Sequence, residues 1–452
     1  MNTADWSDDV FFETPERDSL DGGTTNAGAL WHAVSPRWGH SMHTMCSYHG
    51  MFPAKVAHYF IQRYTKPGDL VMDPFSGRGT VALQARAEGR RTIVNDLSPL
   101  AYVLTKAKTD PPSWAAMGSF LGSLEANYRS SGMPELRVPE DIRMLFSKNT
   151  LRQICFVRES LLTRPPTAWS QEELMIAGAL AGILHGSRRR DGISRYLSIS
   201  MPNTFSMSPG YVKKFIAENN LVPPEQDVFE CLRDKLARLY LDAIDGPAGS
   251  ASTEDASTLL SSGKVRAGSV DLLVTSPPYL QVVNYGTANW IRLWLMGTDE
   301  VGRQRGSGRQ QLDAVLDHQH SYESYREFLL RTFKGVRRVL KRNGVAVFVI
   351  GDVANPGEEP VALASKIWED IGAETGLCLV DRIVDTLAAK NKVSRIWGDT
   401  KGQATNKDCV LVLGRADGTP RSPAEDIDWE EPYKDGGPDA AHARFKDVPI
   451  AS

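Results

Sequence analysis

Cysteine is scarce in this chain. Five occur in 452 residues (Cys46, Cys155, Cys231, Cys378 and Cys409), all far apart. No pair has Cys-x-x-Cys spacing. This speaks against a disulfide framework and a structural metal, and it fits a reducing cytoplasm. Long apolar runs are also missing: no stretch reaches the eighteen or so residues needed to span a membrane. The first residues are acidic and lack both the basic and the apolar portion of a signal peptide. Neither sign of charge dominates, the formal net charge being −3. That small number hides a partition, because residues 1–22 carry about −6 and residues 416–452 about −5, leaving roughly +8 on the body between. The absence of net positive charge therefore does not exclude a nucleic-acid partner.

What is present reads as an α/β chain with an interruption. Both acidic ends are rich in Gly, Pro, Asp and Glu and are expected to be flexible tails. A helix is expected over 53–64, a strand over 70–72, a helix over 81–88 and a strand over 91–94, the order of a parallel crossover unit. Residues 110–246 change character. Helical stretches at 114–128, 150–162, 171–185 and 228–244 are separated by the proline pairs 111–112, 165–166 and 223–224. The α/β rhythm resumes from Ser252, with residues 256–260 and 270–274, helices near 289–296 and 322–340, and strands at 345–350, 378–386 and 409–413. A helix at 361–371 lies among these last strands. The expected domain layout is thus an acidic tail (1–22), a first α/β part (23–109), a helical insert (110–246), a second α/β part (247–415) and an acidic tail (416–452).

Two loops carry the chemistry. The apolar run 270–274 ends in Thr275-Ser276-Pro277-Pro278-Tyr279. Two prolines cannot continue a sheet ladder, so Ser276 and Tyr279 are expected to be held at the strand's carboxyl end, where open α/β sheets bind ligands. The second loop, Asp73-Pro74-Phe75-Ser76-Gly77-Arg78-Gly79-Thr80, follows the first strand and opens a helix. Gly77 and Gly79 permit a tight turn and close approach to a ligand, and the helix start offers free N–H groups. No Gly-Lys-Ser/Thr follows and no GxGxxG is present, so neither a nucleoside-triphosphate loop nor a dinucleotide loop is indicated.

Together these strings resemble motifs IV and I of the S-adenosyl-L-methionine-dependent (AdoMet-dependent) DNA amino-methyltransferases, enzymes that methylate an exocyclic nitrogen of a base. The resemblance covers about residues 45–107 and 250–415 and implies a Rossmann-like methyltransferase domain. It implies a cofactor site of Asp73, Phe75, Gly77, Gly79 and Thr80, with Asp96 accepting the ribose hydroxyls. Asp255 corresponds to the motif III acid. Residues 48–55, including Tyr48, Phe52 and Pro53, are similar to motif X beside the methionine end of AdoMet. The resemblance makes Ser276, Pro277, Pro278 and Tyr279 the catalytic loop. Ser276 Oγ and the Pro277 carbonyl would accept hydrogen bonds from the target amine, and Tyr279 would stack on a base flipped from the duplex. No cysteine lies in a Pro-Cys loop, which speaks against carbon methylation.

Within the family Ser-Pro-Pro-Tyr is most associated with cytosine N4, which makes site-specific cytosine-N4 methylation of double-stranded DNA the expected activity. Adenine-N6 methylation is the alternative, and a non-catalytic DNA-binding subunit is a more distant one. The expected partners are DNA and a cognate restriction endonuclease or phage-defence system, with no metal and no membrane. The order of motifs is X, I, II, insert, III, IV, nearest the arrangement in which target recognition usually follows motif III, so the insert is displaced from the usual place. Arg78 stands where a small residue is commoner. Arg188, Arg189, Arg190, Arg195, Asn203, Lys213 and Lys214 of the insert, with Arg395, are the candidate DNA contacts. Arg331, Lys334, Arg337, Arg338, Lys341 and Arg342 fall at helical spacing and are expected on an outward face.

Overall fold

The short β-branched runs assemble into one seven-stranded sheet. The computed structural model describes residues 31–431 apart from 33, 36–37, 49, 51–52, 132–137, 187–195, 202–207, 279–284, 299–320, 355–360 and 387–402. Strands β1 (Leu70–Asp73), β2 (Arg91–Asn95), β3 (Ser250–Ser252), β4 (Val270–Thr275), β5 (Leu340–Ala354), β6 (Leu377–Thr386) and β7 (Gln403–Arg415) lie in the order β3-β2-β1-β4-β5-β7-β6. The strands β1 to β5 pair in parallel, and β7 runs antiparallel between β5 and β6. This is the expected Rossmann-like architecture. The chain crosses from one half of the sheet to the other between β1 and β4, so a crevice opens outside their carboxyl ends.

Helices cover both faces. Those of six residues or more among the described residues are α1 (Ala54–Tyr64), α2 (Thr80–Ala87), α3 (Pro99–Thr109), α4 (Trp114–Ser130), α5 (Lys148–Leu161), α6 (Gln171–Ile183), α7 (Pro209–Glu218), α8 (Val228–Leu239), α9 (Ala256–Ser261), α10 (Trp290–Leu295), α11 (Tyr322–Val339) and α12 (Leu363–Thr375). Strand alternation sorts the core. Val71, Leu272, Val274 and Val347 pack with Val56, Phe60 and Ile61 of α1. Leu70, Met72, Leu273 and Phe348 pack with Leu329, Phe333 and Val336 of α11 and Ile367 of α12. Each such side chain contributes about 1.5–3 kcal/mol on burial.

The insert has its own core, shared with α3 and α10. Its centre is α6, which opens with a capping box between Ser170 and Glu173 and is buried on all sides from Leu174 to Ala181. A Cβ on Gly182 would lie 1.8 Å from the Met45 carbonyl. The segment before α1 is therefore pressed between the insert and the sheet domain.

Three elements were hidden in the sequence. Strand β3 is Ser-Ala-Ser, an edge strand with no apolar run, held by its pairing to β2. Helix α3 follows Asp96 directly, with Pro99 in its first turn. Helix α7 begins at a proline within a stretch whose sequence stands out only for its charges; Ser208 caps it and Pro209 occupies its first turn. Among the described residues no helix is long and apolar enough to cross a membrane.

Residues 416–431, expected to be flexible, form a strap across α1, whereas 1–22 and 432–452 lie outside the described residues. Arg421 donates to the Tyr64 carbonyl (3.0 Å) and Asp69 (2.6 Å), and Ala424 N–H donates to the Arg63 carbonyl (2.8 Å). The His58 ring is bracketed by Trp38 and Trp429, with Nε2 2.7 Å from the Asp428 carbonyl and Nδ1 2.8 Å from Glu88. Gly39 N–H reaches Glu431 (2.8 Å), so the strap also holds the segment before α1. Trp429→Ala should lower stability by about 1–2 kcal/mol in denaturant unfolding. An unchanged midpoint would show that the strap is not a structural element.

Candidate active site

Both loops that the sequence singled out open onto one cavity of about 330 Å³ at the carboxyl ends of β1 and β4. Asp73 ends β1 and is buried. Its Oδ1 accepts from Thr275 Oγ1 (2.6 Å), the last residue of β4, and from Phe75 N–H (3.1 Å). Burial raises the Asp73 carboxyl to about 7, with the Asp96 charge adding to the rise and the two donors opposing it.

The glycine loop is closed by the acid of the next strand. Asp96 Oδ2 accepts from Gly77 N–H (2.8 Å) and Oδ1 from Ser98 N–H (2.9 Å). Burial nevertheless raises its carboxyl to about 6. Gly77 has φ +50, which the turn toward Asp96 requires, and it lines the cavity. Gly79 does not line it. With φ +77, it meets Thr105 of α3, where a Cβ would stand 2.8 Å from Oγ1 and 2.9 Å from Cα. Its role is close helix packing.

Asn95 fixes the far wall, donating to the Glu254 carbonyl (2.9 Å) and accepting from Glu254 N–H (2.9 Å) and Ser252 Oγ (2.8 Å). Asp255 borders the cavity while capping α9 through Thr258 N–H (2.9 Å). Partial burial raises its carboxyl, but hydrogen bonds from Ser257 and Thr258 outweigh this and hold it below its ordinary value.

Of the other expected site residues, Tyr48, Phe75, Thr80, Ser276 and Pro278 line the cavity. Tyr48 stacks on Tyr285 (6.4 Å between rings, 29° apart). Pro277 is buried off the cavity wall, and Pro53 is exposed at the start of α1. Tyr279 and Phe52 lie outside the described residues, as do Arg188, Arg189, Arg190, Arg195, Asn203 and Arg395. Lys213 and Lys214 are exposed on α7, Lys214 lying 3.6 Å from Glu218. Beside them Tyr211, 51% exposed, stacks on Phe215.

The sequence reading missed one wall. Ser324, Glu327, Phe328 and Arg331 of α11 all border the cavity, and Phe328 meets Phe75 edge to face (5.7 Å). Their spacing of three and four residues marks one helical face, which was the available signal. Arg331, expected on an outward face, is thus a cavity residue. The rest of that row serves the scaffold: Arg337 pairs with Asp417 (3.3 Å), Arg338 bonds the Leu260 and Val265 carbonyls, Lys341 pairs with Asp271 (2.7 Å) and Arg342 bonds the Asp417 carbonyl. Lys334 is exposed.

Thr275→Val keeps the shape of β4 but removes a donor from the buried Asp73 carboxylate. It should cost about 1–3 kcal/mol in denaturant unfolding. A carboxyl with a raised folded pKa favours the fold most at acid pH, and that contribution is lost as pH rises through about 7. The hydroxyl opposes the rise, so the cost of its removal should be larger at about pH 8 than at about pH 5. Equal cost at both would contradict this role.

Comparison with known proteins adds to this geometry. Residues 11–106 match the N6/N4 methylase family model, described as DNA methylase. The type II methyltransferase M.MjaII of Methanocaldococcus jannaschii is 33% identical over 67 residues, 15% of this chain and 13% of that protein. The type II methyltransferase M.PvuII of Proteus hauseri is 43% identical over 56 residues, 12% of this chain and 16% of that protein. The matched segments are thus less than a fifth of either relative's length. A Thermus thermophilus protein assigned as a DNA modification methylase, solved with S-adenosyl-L-methionine, overlays at a TM-score of 0.22, with 20% identity across 37% of this chain and 54% of that one. At that score the overlay bears on neither fold nor substrate. The segment matched by the family model, residues 11–106, carries Tyr48, the glycine loop and Asp96.

Proposed function

We propose that this chain binds S-adenosyl-L-methionine in the cavity and transfers its methyl group to the exocyclic N4 of a cytosine flipped out of double-stranded DNA. The observation that carries the reading is the Asp73–Thr275 hydrogen bond, which brings the glycine loop and the Ser-Pro-Pro loop onto one cavity. The donor set suits the ligand. Asp96 offers carboxylate lone pairs to vicinal hydroxyls, Phe75 and Phe328 offer ring surface, and Gly77 keeps the loop free of a side chain. When bound, AdoMet supplies an electrophilic methyl group on a sulfonium.

The chain's own residues must prepare the nucleophile. The lone pair of an exocyclic amine is delocalised into the ring, so acceptors aimed at its N–H groups localise it at the moment of attack. Ser276 Oγ on the cavity wall is such an acceptor, acting by fixed electrostatics rather than as a base. The proton of the methylated amine, strongly acidic once alkylated, leaves to water. Tyr279 is the ring on which the extruded base would stack. Serine at 276 favours cytosine over adenine in this reading. Exposed Lys213, Lys214 and Tyr211 on α7 make the insert the proposed DNA-facing part.

Nucleoside mass spectrometry of DNA from a host expressing the chain should show N4-methylcytosine. N6-methyladenine would replace cytosine by adenine as the target, and neither base would refute DNA methylation. Ser276→Ala should lower kcat about 10²-fold with AdoMet affinity nearly unchanged; parallel loss of both would place Ser276 in cofactor binding instead. Because Asp96 titrates near 6, AdoMet affinity should fall as pH drops below about 6. Asp96→Asn should weaken binding about 10- to 100-fold and flatten that pH dependence, as read by calorimetry. Unchanged affinity would remove Asp96 from the site.

A further inference from the structure

Five acids, Asp73, Asp96, Glu254, Asp255 and Glu327, border the cavity, and two cations, Arg78 and Arg331, do so as well. Arg78 Nη1 donates to the His43 carbonyl (2.9 Å) and Nε to Thr80 Oγ1 (3.3 Å), while Nη2 has no hydrogen-bond partner among the described residues. Thr80 lines the same wall, so the guanidinium stands at the cavity's margin.

Behind it the structure collects further cations without counter-charge among the described residues. Lys108 of α3 is fully buried and its Nζ donates to the Arg78 carbonyl. Lys235 of α8 is buried and donates to the Thr44 carbonyl (2.7 Å). Among the described residues none of the three forms an ion pair, and carbonyl dipoles are their principal partners. Burial pushes Arg78 down to about 10 and Lys235 to about 8, as expected for charges that lack an anion. Such a cluster is costly to fold unless an anion arrives with a ligand.

Resting on the AdoMet reading above, we infer that Arg78 recognises the carboxylate of the ligand's amino-acid portion, with Thr80 orienting the guanidinium. Asp96 and Arg78 then dictate the ligand's direction. The ribose hydroxyls lie toward Asp96 and the carboxylate toward Arg78. The arginine between the two glycines, an oddity of the loop in sequence, becomes its specificity determinant.

Calorimetric titration of the intact chain with AdoMet, its decarboxylated analogue and 5′-methylthioadenosine tests this without any turnover. The wild-type chain should prefer AdoMet to the decarboxylated analogue by about 10- to 100-fold, the worth of a charge-assisted hydrogen bond. Arg78→Met should bring that ratio close to one, chiefly by weakening AdoMet, and Arg78→Lys should restore part of it. Lys108→Met, which removes a cation that does not border the cavity, should leave a clear preference even where it lowers the melting temperature. A wild-type ratio near one, or an Arg78→Met ratio equal to wild type, overturns the inference while AdoMet binding itself stands. Failure of the wild-type chain to bind any of the three ligands instead removes the AdoMet reading and this inference with it. Should Arg78→Met not fold, the wild-type and Arg78→Lys ratios decide.

Discussion

One buried hydrogen bond organises this molecule: Thr275 Oγ1 to Asp73 Oδ1, 2.6 Å, across the carboxyl ends of neighbouring parallel strands. An aspartate that ends a strand in a nonpolar sheet must find donors, because an unsatisfied buried carboxylate is expensive. Asp73 takes one from its own loop and one from the strand beside it. The two loops that line the cavity begin at these two residues. The bond therefore fixes their relative position, although some 200 residues of chain separate them.

Asp96 repeats the device one strand further on. Its carboxylate ties Gly77 N–H and Ser98 N–H, so the glycine loop is held at both ends by acids that also face the cavity. Residues that hold the scaffold and residues that face the cavity are here the same side chains. The insert supplies the remaining wall indirectly. Its helix α6 presses on Met45, its Lys235 holds Thr44, and Arg292 of α10 donates to Ser47 Oγ (2.9 Å), all next to Tyr48 on the cavity wall. The strap at 416–431 secures the start of that segment through Gly39. Insert, strap and sheet domain thus converge on a short stretch that carries little secondary structure of its own.

The sheet's central strands were legible because β1, β4 and β5 are buried on both faces and read as apolar runs. Asp73, Gly77, Asp96 and Ser276 stood out by residue type and by position near strand ends, and all four border the cavity. What stayed hidden had no local signal. Strand β3 is made by pairing alone, and α7 begins at a proline, which punctuates a sequence whether it ends a helix or starts one. The strap is polar and proline-rich, and only the tertiary contacts of Arg421, Asp428 and Trp429 order it. Gly79 shows the limit most clearly. Its glycine was readable, but that it serves Thr105 rather than the cavity depends on where α3 lies.

The central claim is that the glycine loop, the Asp96 turn and the Ser-Pro-Pro loop form a single ligand site. Hydrogen exchange of the intact chain with and without AdoMet tests it most directly. The account predicts that AdoMet slows exchange together in peptides covering residues 73–80, 94–98 and 275–278. Slowing confined to one of these segments, or absent from all three, would contradict it.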